Sequence, residues 1–264
     1  MKKDVRAKKH LGQHFLTDEV IAFNIVKALT EKSTTPAVLE IGPGMGVLTK
    51  FLLQNNDFVT HAIDVDSESI VYLKSHFPQL EQTLIEGDFL RLDLHKLFPQ
   101  TFSLIGNFPY NISSQIVFKL LENKDIIPLM VGMFQKEVGE RLVSGTRTKD
   151  YGILSVLTQA YYDVEYLFTV DEHVFDPPPK VKSGVVRFTR KEIPPDVDEK
   201  AFYRVVKMAF NQRRKKLRNA IQQFHVKDEI LQASGYMDKR AEELTFTDFI
   251  ALTKLVQQHG ENFS

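Results

Sequence analysis

Short apolar segments alternate with helical patterns over the first half of the chain, and this alternation constrains the fold more than any other feature. The apolar segments are Ala37–Ile41, Phe58–Ile63, Thr83–Glu86, Phe102–Ile105 and Leu129–Phe134. Between them, Val47–Leu53, Glu68–His76 and Ser113–Leu121 have apolar residues at helical spacing. Strands that alternate with helices predict βαβ units and therefore a parallel sheet in an α/β fold.

The pattern changes twice after this region. Val164–Phe168 and Val185–Phe188 lie on either side of the turn Pro177–Pro179, and this arrangement predicts an antiparallel pair of strands. Beyond Lys191–Pro195 the apolar residues have helical spacing only. We therefore predict a linker near 191–198, a first domain over 1–192 and a smaller all-helical domain over 196–264.

Composition excludes several classes of protein. None of the 264 residues is cysteine, which excludes disulfides, thiolate nucleophiles and cysteine-ligated metal centres. No segment has the roughly 20 apolar residues of a membrane span. The N-terminus lacks the apolar core of a secretion signal. These features indicate a cytoplasmic protein without membrane contact.

Two basic segments stand out because the net charge of the chain is zero. Residues 1–14 contain five Lys or Arg and one acidic residue, and residues 201–223 contain seven Lys or Arg and no acidic residue. Segments of this kind indicate contact with a polyanion such as RNA, the alternative being two solvated surfaces. The candidate RNA-binding residues are Lys8, Lys9, Arg213, Arg214, Lys215, Lys216 and Arg218. We expect Arg214 and Arg218 to share one face of a helix.

A glycine-rich segment follows the first predicted strand. Glu40 comes just before it, and Gly42, Gly44 and Gly46 alternate with other residues. Dinucleotide-binding proteins have G-x-G-x-x-G, in which the third glycine comes one residue later. The spacing here favours a ligand without a pyrophosphate, the alternative being a tight turn.

Carboxylates end the next two predicted strands. Asp64 follows the second strand, where it could accept hydrogen bonds from ribose hydroxyls, with Asp66 as the rival residue. Asp88 follows the third strand, where it could accept from an adenine amino group. Open α/β sheets bind ligands at this edge. Together with the glycine segment, these carboxylates resemble an S-adenosylmethionine-dependent methyltransferase, with S-adenosylmethionine as the methyl donor and no metal site. The alternative of a metal bound by His10 and His14 is disfavoured, because Gly12 interrupts the helix it would need.

The fourth predicted strand is followed by Asn107-Phe108-Pro109-Tyr110. The Asn107 side-chain oxygen and the Phe108 carbonyl could accept hydrogen bonds from an exocyclic amino group and stabilise the charge that develops on its nitrogen. Tyr110 offers a ring on which a base can stack. Phe175, beside the Pro-rich turn, could cover the other face of the base, the alternative being a core aromatic. The pattern is typical of enzymes that methylate an amino group of a nucleic-acid base.

Motifs along nearly the whole chain resemble the ribosomal small-subunit RNA adenine dimethyltransferase family. The motifs are Lys9–Leu16, Glu40–Gly46, Asn107–Tyr110, Phe175–Val181 and Ala209–Asn219. The resemblance implies a Rossmann-like seven-stranded methyltransferase sheet whose last strand is antiparallel, followed by a helical domain. It also implies that the residues at His14 and Leu16 contact the methyl donor.

The chain departs from the family pattern at three positions. The family usually has Asn where this chain has His14, so only a backbone contact is carried over there. It often has Leu or Ile at Phe108 and Glu at Asp64, and both changes preserve the proposed chemistry.

The resemblance further implies four methyl transfers that give N6,N6-dimethyladenosine at two adjacent adenosines near the 3′ end of the small-subunit (16S) rRNA. The expected substrate is an assembling ribosomal subunit, and we expect the enzyme to be monomeric. Two alternatives remain at this point. One is a macrolide-resistance-type 23S rRNA adenine N6-methyltransferase, and the other is an RNA-binding assembly factor without catalytic activity.

Overall fold

The computed structural model describes residues 5–260, which form two compact units. The sheet unit contains residues 5–140 and 164–190, and the helical unit contains residues 141–163 and 191–260. The basic residues Lys2 and Lys3 lie outside the described residues. Within 5–260, no helix combines the length and the apolar character that crossing a bilayer would need.

The sheet unit follows the predicted alternation of strands and helices. Its elements up to the fourth parallel strand are β1 (Phe15–Leu16), α1 (Glu19–Thr30), β2 (Ala37–Ile41), α2 (Thr49–Leu52), β3 (Val59–Asp64), α3 (Ser67–His76), β4 (Leu84–Glu86), α4 (Leu94–Leu97) and β5 (Ser103–Asn107). The remaining elements that belong to it wholly or in part are α5 (Ser113–Glu122), β6 (Leu129–Gln135), α6 (Lys136–Val143), β7 (Tyr162–Val170), β8 (Phe175–Asp176) and β9 (Ser183–Arg190).

Seven of these strands form one sheet with the order β4-β3-β2-β5-β6-β9-β7. The pairs β3–β4, β2–β3, β2–β5 and β5–β6 are parallel, whereas β6 and β9 are antiparallel. The predicted parallel sheet is therefore confirmed, and so is the antiparallel last strand that the family resemblance implies. The two strands predicted to pair around the Pro-rich turn, β7 and β9, are neighbours in the sheet. The strand order reverses between β2 and β5, so that the carboxyl ends of these strands lie at the switch point where such sheets bind ligands.

The strands are buried because helices cover the sheet. In β6, Leu129, Val131 and Met133 share one face and belong to a core cluster that also contains Ile25 and Leu29 of α1. The alternation follows from the two-residue period of a strand. The carboxylate of Asp18 caps α1 by accepting hydrogen bonds from the N–H groups of residues 20 and 21.

The helical unit is built around α7 (Ile153–Tyr161), α8 (Glu199–Asn211) and α11 (Phe246–His259). Two shorter helices, α9 (Leu217–Ala220) and α10 (Asp228–Ala233), lie between α8 and α11. Phe210 stacks on Phe249 with ring centroids 5.7 Å apart. Thr245 and Asp248 form a capping box at the start of α11.

Two details differ from the sequence-based expectations. Residues 141–163 group with the helical unit, whereas the predicted first domain ran without interruption to residue 192. Helix α8 ends at Asn211 and α9 begins at Leu217, so Arg213–Lys216 form a turn. The expectation that Arg214 and Arg218 share a helical face is therefore wrong.

Candidate active site

A cleft of about 330 Å³ lies in the sheet unit at the carboxyl ends of the parallel strands. Its lining includes the predicted site residues His14, Gly42, Gly44, Asp64, Asp88, Asn107, Phe108, Pro109 and Tyr110. Residues that are far apart in the sequence meet here because β2, β3, β4 and β5 run in parallel and end at one edge. These nine predicted residues, which belong to the N-terminal segment and to the ends of different strands, line one cleft.

Two of the glycines after β2 shape the floor of this cleft. Gly42 has a φ of +65°, and a Cβ there would lie 4.0 Å from Pro109 Cδ and otherwise face open space. Gly44 has a φ of +56°, and a Cβ there would lie 2.8 Å from the Phe15 ring. Glycine is favoured at both positions because a side chain would be strained. Gly46 packs against Phe77 and does not line the cleft.

Asp64 holds the glycine segment in place. Its Oδ2 accepts a hydrogen bond from the Gly44 N–H at 3.2 Å, and its Oδ1 accepts from the Asp66 N–H at 2.9 Å. The residue is only 6% exposed. Burial raises the pKa of Asp64 above its usual range, although the two backbone N–H donors partly offset this.

Asp66, the rival of Asp64, does not line the cleft. Its carboxylate accepts hydrogen bonds from the Lys8 ammonium and, at 3.0 Å, from Gln13 Nε2 and the Glu68 N–H. Burial acts to raise the pKa of Asp66, but the hydrogen bonds, led by that from Lys8, outweigh it, so the pKa lies below its usual range.

Asp66 therefore anchors the N-terminal segment, whose residues 11–15 line the cleft. Lys8, a predicted RNA contact, forms an ion pair with Asp66, and its Nζ lies 3.3 Å from Glu68 Oε1. Lys9 is exposed.

Asp88 reaches the cleft from the end of β4. Its Oδ1 accepts a hydrogen bond from the Leu90 N–H at 3.0 Å, and its Oδ2 lies 3.3 Å from Arg91 Nε. A carboxylate has about four acceptor positions, so both oxygens keep capacity for a further donor.

Glu40 and Leu16 line a smaller cavity of about 30 Å³ that Asn107 and Gly42 also border. Glu40 is 1% exposed, and its Oε2 accepts a hydrogen bond from the Thr49 hydroxyl at 2.6 Å. Burial raises the pKa of Glu40 to about 8, since the hydrogen bond from Thr49 opposes the shift only in part and the charge of Asp64 adds to it.

Asn107 ends β5, and its side-chain amide has a fixed orientation. Its Nδ2 donates a hydrogen bond to the His14 carbonyl oxygen at 2.8 Å. Among residues 5–260, no donor is bound to its Oδ1, which remains an acceptor at the cleft. Next in the chain, the Phe108 N–H donates to the Met133 carbonyl at 3.2 Å.

Tyr110 is positioned through both its ring and its hydroxyl. The His14 ring stacks on it with centroids 5.3 Å apart, and the hydroxyl lies 2.6 Å from Ser183 Oγ. His14 Nδ1 also lies 2.7 Å from the Pro177 carbonyl oxygen. Sequence reasoning missed Ser183, because the contact spans 73 residues and no local pattern marks it.

Phe175 lies elsewhere in the sheet unit. It is 4% exposed, belongs to the core cluster and pairs with Leu16 between β8 and β1. The cleft lining does not include it. Its predicted contact with a base therefore has no support from this geometry, and the position matches that of a core aromatic.

The basic residues of the helical unit have different roles. Arg213 donates hydrogen bonds to Glu242 Oε2 at 2.8 Å and to the carbonyl oxygens of Thr148 and Lys149 at 2.8 and 2.7 Å. Lys216 and Arg218 lie 2.7 and 3.6 Å from Asp238. Arg214 and Lys215 are exposed and have no ion pair within 5–260.

All the residues of the cleft lie in the part of the chain that matches a known family. The profile of the family described as "Ribosomal RNA adenine dimethylase" matches residues 5–258. The chain belongs to the ribosomal RNA adenine dimethylase family. Two relatives in this family are named "Ribosomal RNA small subunit methyltransferase A". The relative from Cytophaga hutchinsonii is 55% identical over 96% of this chain and 98% of its own. The relative from Bacteroides thetaiotaomicron is 54% identical over 97% of this chain and 96% of its own.

Two solved structures are similar to this chain. A dimethyladenosine transferase from Plasmodium falciparum is 27% identical and superposes with a TM-score of 0.78 over 92% of this chain and 97% of its own. The 23S rRNA methyltransferase ErmE is 23% identical, with a TM-score of 0.69 over 92% of this chain and 100% of its own, and shows the shared fold. The chain thus has the S-adenosylmethionine-dependent methyltransferase fold predicted from its sequence. Within the described residues of this dimethylase family member, no group of three or more His, Asp or Glu side chains is arranged to hold a metal ion.

Proposed function

We propose that this protein transfers methyl groups from S-adenosylmethionine to the N6 nitrogen of adenosines in small-subunit rRNA. The products are N6,N6-dimethyladenosines at two adjacent positions in a hairpin near the 3′ end, formed by four transfers within an assembling subunit. The observation that carries the proposal is the position of Asn107–Tyr110, at the end of β5, in the same cleft as Asp64 and Asp88.

The cleft residues fit an adenosyl methyl donor. The open space over Gly42 allows a ligand to approach the backbone closely. Asp64 and Asp88 retain acceptor capacity for ribose hydroxyls and for an adenine amino group. The buried Glu40, beside the small cavity at Leu16, offers a carboxyl group for an amino group of the ligand. When bound, the donor supplies a methyl group on a positively charged sulfur.

Asn107 and Phe108 activate the amino group of the target adenine. The N6 lone pair is delocalised into the ring, so N6 is a poor nucleophile in its planar form. Hydrogen bonds from N6 to Asn107 Oδ1 and to the Phe108 carbonyl favour a tetrahedral nitrogen and stabilise the positive charge that develops on it. The hydrogen bond from Asn107 Nδ2 to His14 supports this role, because it turns Oδ1 toward the cleft before any substrate arrives.

Tyr110 provides the surface on which the target base stacks. A base on an aromatic ring gains about 1–3 kcal/mol. His14 stacks on this ring from one side, and Ser183 fixes its hydroxyl, so the base uses the remaining face. A base in this pocket is flipped out of its helix or is already unpaired.

The helical unit contributes contacts with the RNA backbone. Arg214 and Lys215 are exposed in the turn between α8 and α9, and their charges are available for phosphates. Arg213, by contrast, is occupied within the unit by Glu242 and two carbonyl oxygens. We assign RNA contact first to Arg214 and Lys215, and assign Arg213 to the stability of the turn. Lys9, which is exposed on the N-terminal segment, offers a further positive charge for the RNA. The enzyme acts as a monomer.

The experiment that tests this function compares the unmodified protein with two variants, using a labelled methyl donor and, in separate reactions, small and large ribosomal subunits. We expect Asn107→Ala to abolish transfer and to leave donor affinity nearly unchanged, because Asn107 acts on the amino group in the transition state. We expect Asp64→Ala to weaken donor affinity by about 1.5–3 kcal/mol through the loss of charged hydrogen bonds.

Asn24→Ala is the matched control, because Asn24 is exposed on α1 and does not line the cleft. Near-normal kcat in Asn107→Ala would rule out the proposed role of Asn107. Methylation of large-subunit RNA in place of small-subunit RNA would identify a 23S-type enzyme, and donor binding without transfer would identify an assembly factor.

A further inference from the structure

Two glycines lie directly opposite each other in the middle of the sheet. Gly106 of β5 and Gly132 of β6 are register partners, and both are buried. Neighbouring strands lie about 4.8 Å apart, so a pair of glycines leaves a notch without side chains on the sheet surface.

The Phe108 ring fills this notch. Residues 106 and 108 face the same side of the sheet, because side chains alternate along an extended chain. The ring is 1% exposed, and its edge packs against Phe134 with ring centroids 5.2 Å apart. A Cβ on Gly132 would lie 2.1 Å from Phe108 Cε2, far inside van der Waals contact.

The two glycines differ in what they accommodate. A Cβ on Gly106 would lie 2.7 Å from the Phe108 ring but also 2.6 Å from the Ile41 carbonyl oxygen, so the backbone alone requires glycine there. The three nearest atoms to a Cβ on Gly132 all belong to the Phe108 ring. Whether a side chain fits at position 132 therefore depends on the side chain at 108, and a smaller residue at 108 removes the steric clash.

We propose that Gly132 is a positioning residue for methyl transfer, acting through the Phe108 ring on the Phe108 carbonyl. This inference rests on the proposed function, in which that carbonyl accepts a hydrogen bond from the target amino group. The ring and the hydrogen bond from Phe108 N–H to Met133 together fix the backbone of residue 108. A methyl group at 132 displaces the ring and moves the carbonyl, and side chains at 108 and 132 compete for one space.

The test is a double-mutant cycle of Gly132→Ala and Phe108→Leu in the full chain. We expect Gly132→Ala to lower kcat by about 10- to 100-fold, because misplacement of a positioning group by about 1 Å has effects of this size. Donor Kd is expected to stay within about twofold, since a displaced acceptor carbonyl does not change donor binding. We expect the double variant to recover to within about threefold of Phe108→Leu alone, because leucine vacates the notch.

Gly145→Ala is the matched control, because a Cβ there meets no atom within 4 Å. Normal kcat in Gly132→Ala overturns the proposal, and so does a loss of kcat that Phe108→Leu does not rescue. Thermal unfolding of the four proteins keeps the packing claim testable: rescue of the Tm of Gly132→Ala by Phe108→Leu is expected, and additive losses contradict it. If the unmodified protein transfers no methyl group but Phe108→Leu still rescues the Tm of Gly132→Ala, the proposed function is rejected and the packing claim stands.

Discussion

At the residue scale, hydrogen bonds hold side chains of the site in position before a ligand binds. Asn107 shows this most clearly, because its amide donates to a carbonyl 93 residues earlier in the chain and so presents one defined acceptor. The sequence predicted the residue type and its place at a strand end. It could not predict the partner, because nothing local links residue 107 to the backbone of His14.

The raised pKa of Glu40 predicts how the stability of the protein depends on pH. Its pKa is raised to about 8 from an unfolded value of 4.5, so the folded protein retains a proton that the unfolded chain loses. The free energy of unfolding should therefore decrease as pH rises from about 4.5 to about 8, and level off above that range. Glu40→Gln keeps the shape and an acceptor for Thr49 but does not titrate.

We expect Glu40→Gln to lose less stability than the unmodified protein between pH 5 and pH 8, measured by denaturant unfolding. Asp64 is also buried and its pKa is also raised, so Asp64→Asn is the control that isolates its share. If the free energy of unfolding depends on pH equally in the unmodified protein and in Glu40→Gln, the pKa of Glu40 in the folded state lies in the ordinary carboxyl range.

At the scale of elements, strands were predicted well where their burial is continuous. The predicted strand Phe102–Ile105 corresponds to β5 at Ser103–Asn107. The strand continues past Ile105 because it pairs with β6 as far as Asn107, which lies opposite Met133. The basic run near residue 213 was predicted less well. We expected Arg214 and Arg218 to share one face of a helix, but the Arg213 side chain donates to carbonyl oxygens of another segment and the chain forms a turn.

This turn carries a prediction on RNA binding. Reversing Arg214 and Lys215 to Glu should weaken binding to small subunits and make its salt dependence shallower, by about 0.7–0.9 in log–log slope for each phosphate that is no longer neutralised. Reversing Lys32 and Lys74, two exposed lysines of the sheet unit, is the control of equal charge change. Affinity should be measured across a salt series, with donor affinity unaffected. Identical slopes in both double variants would show that the turn does not contact RNA.

At the scale of the whole molecule, the order of motifs predicted the fold class and the common edge where the site residues meet. The division into units was predicted only in part. Residues 141–163 belong to the helical unit because Tyr151 donates to the Leu244 carbonyl at 2.8 Å and Tyr161 packs edge-on against Phe202. Such contacts join segments about 40 to 90 residues apart, and a reading that follows the chain in order cannot detect them.

The central claim is that this protein dimethylates N6 of two adjacent adenosines in small-subunit rRNA. The most direct measurement maps N6,N6-dimethyladenosine in the rRNA of cells that lack the protein, and of the same cells supplied with the unmodified protein or with Asn107→Ala. We predict loss of the modification at two adjacent adenosines near the 3′ end of the small-subunit rRNA, restored by the unmodified protein and not by Asn107→Ala. Unchanged modification at those adenosines, or loss at a large-subunit site, would contradict the account.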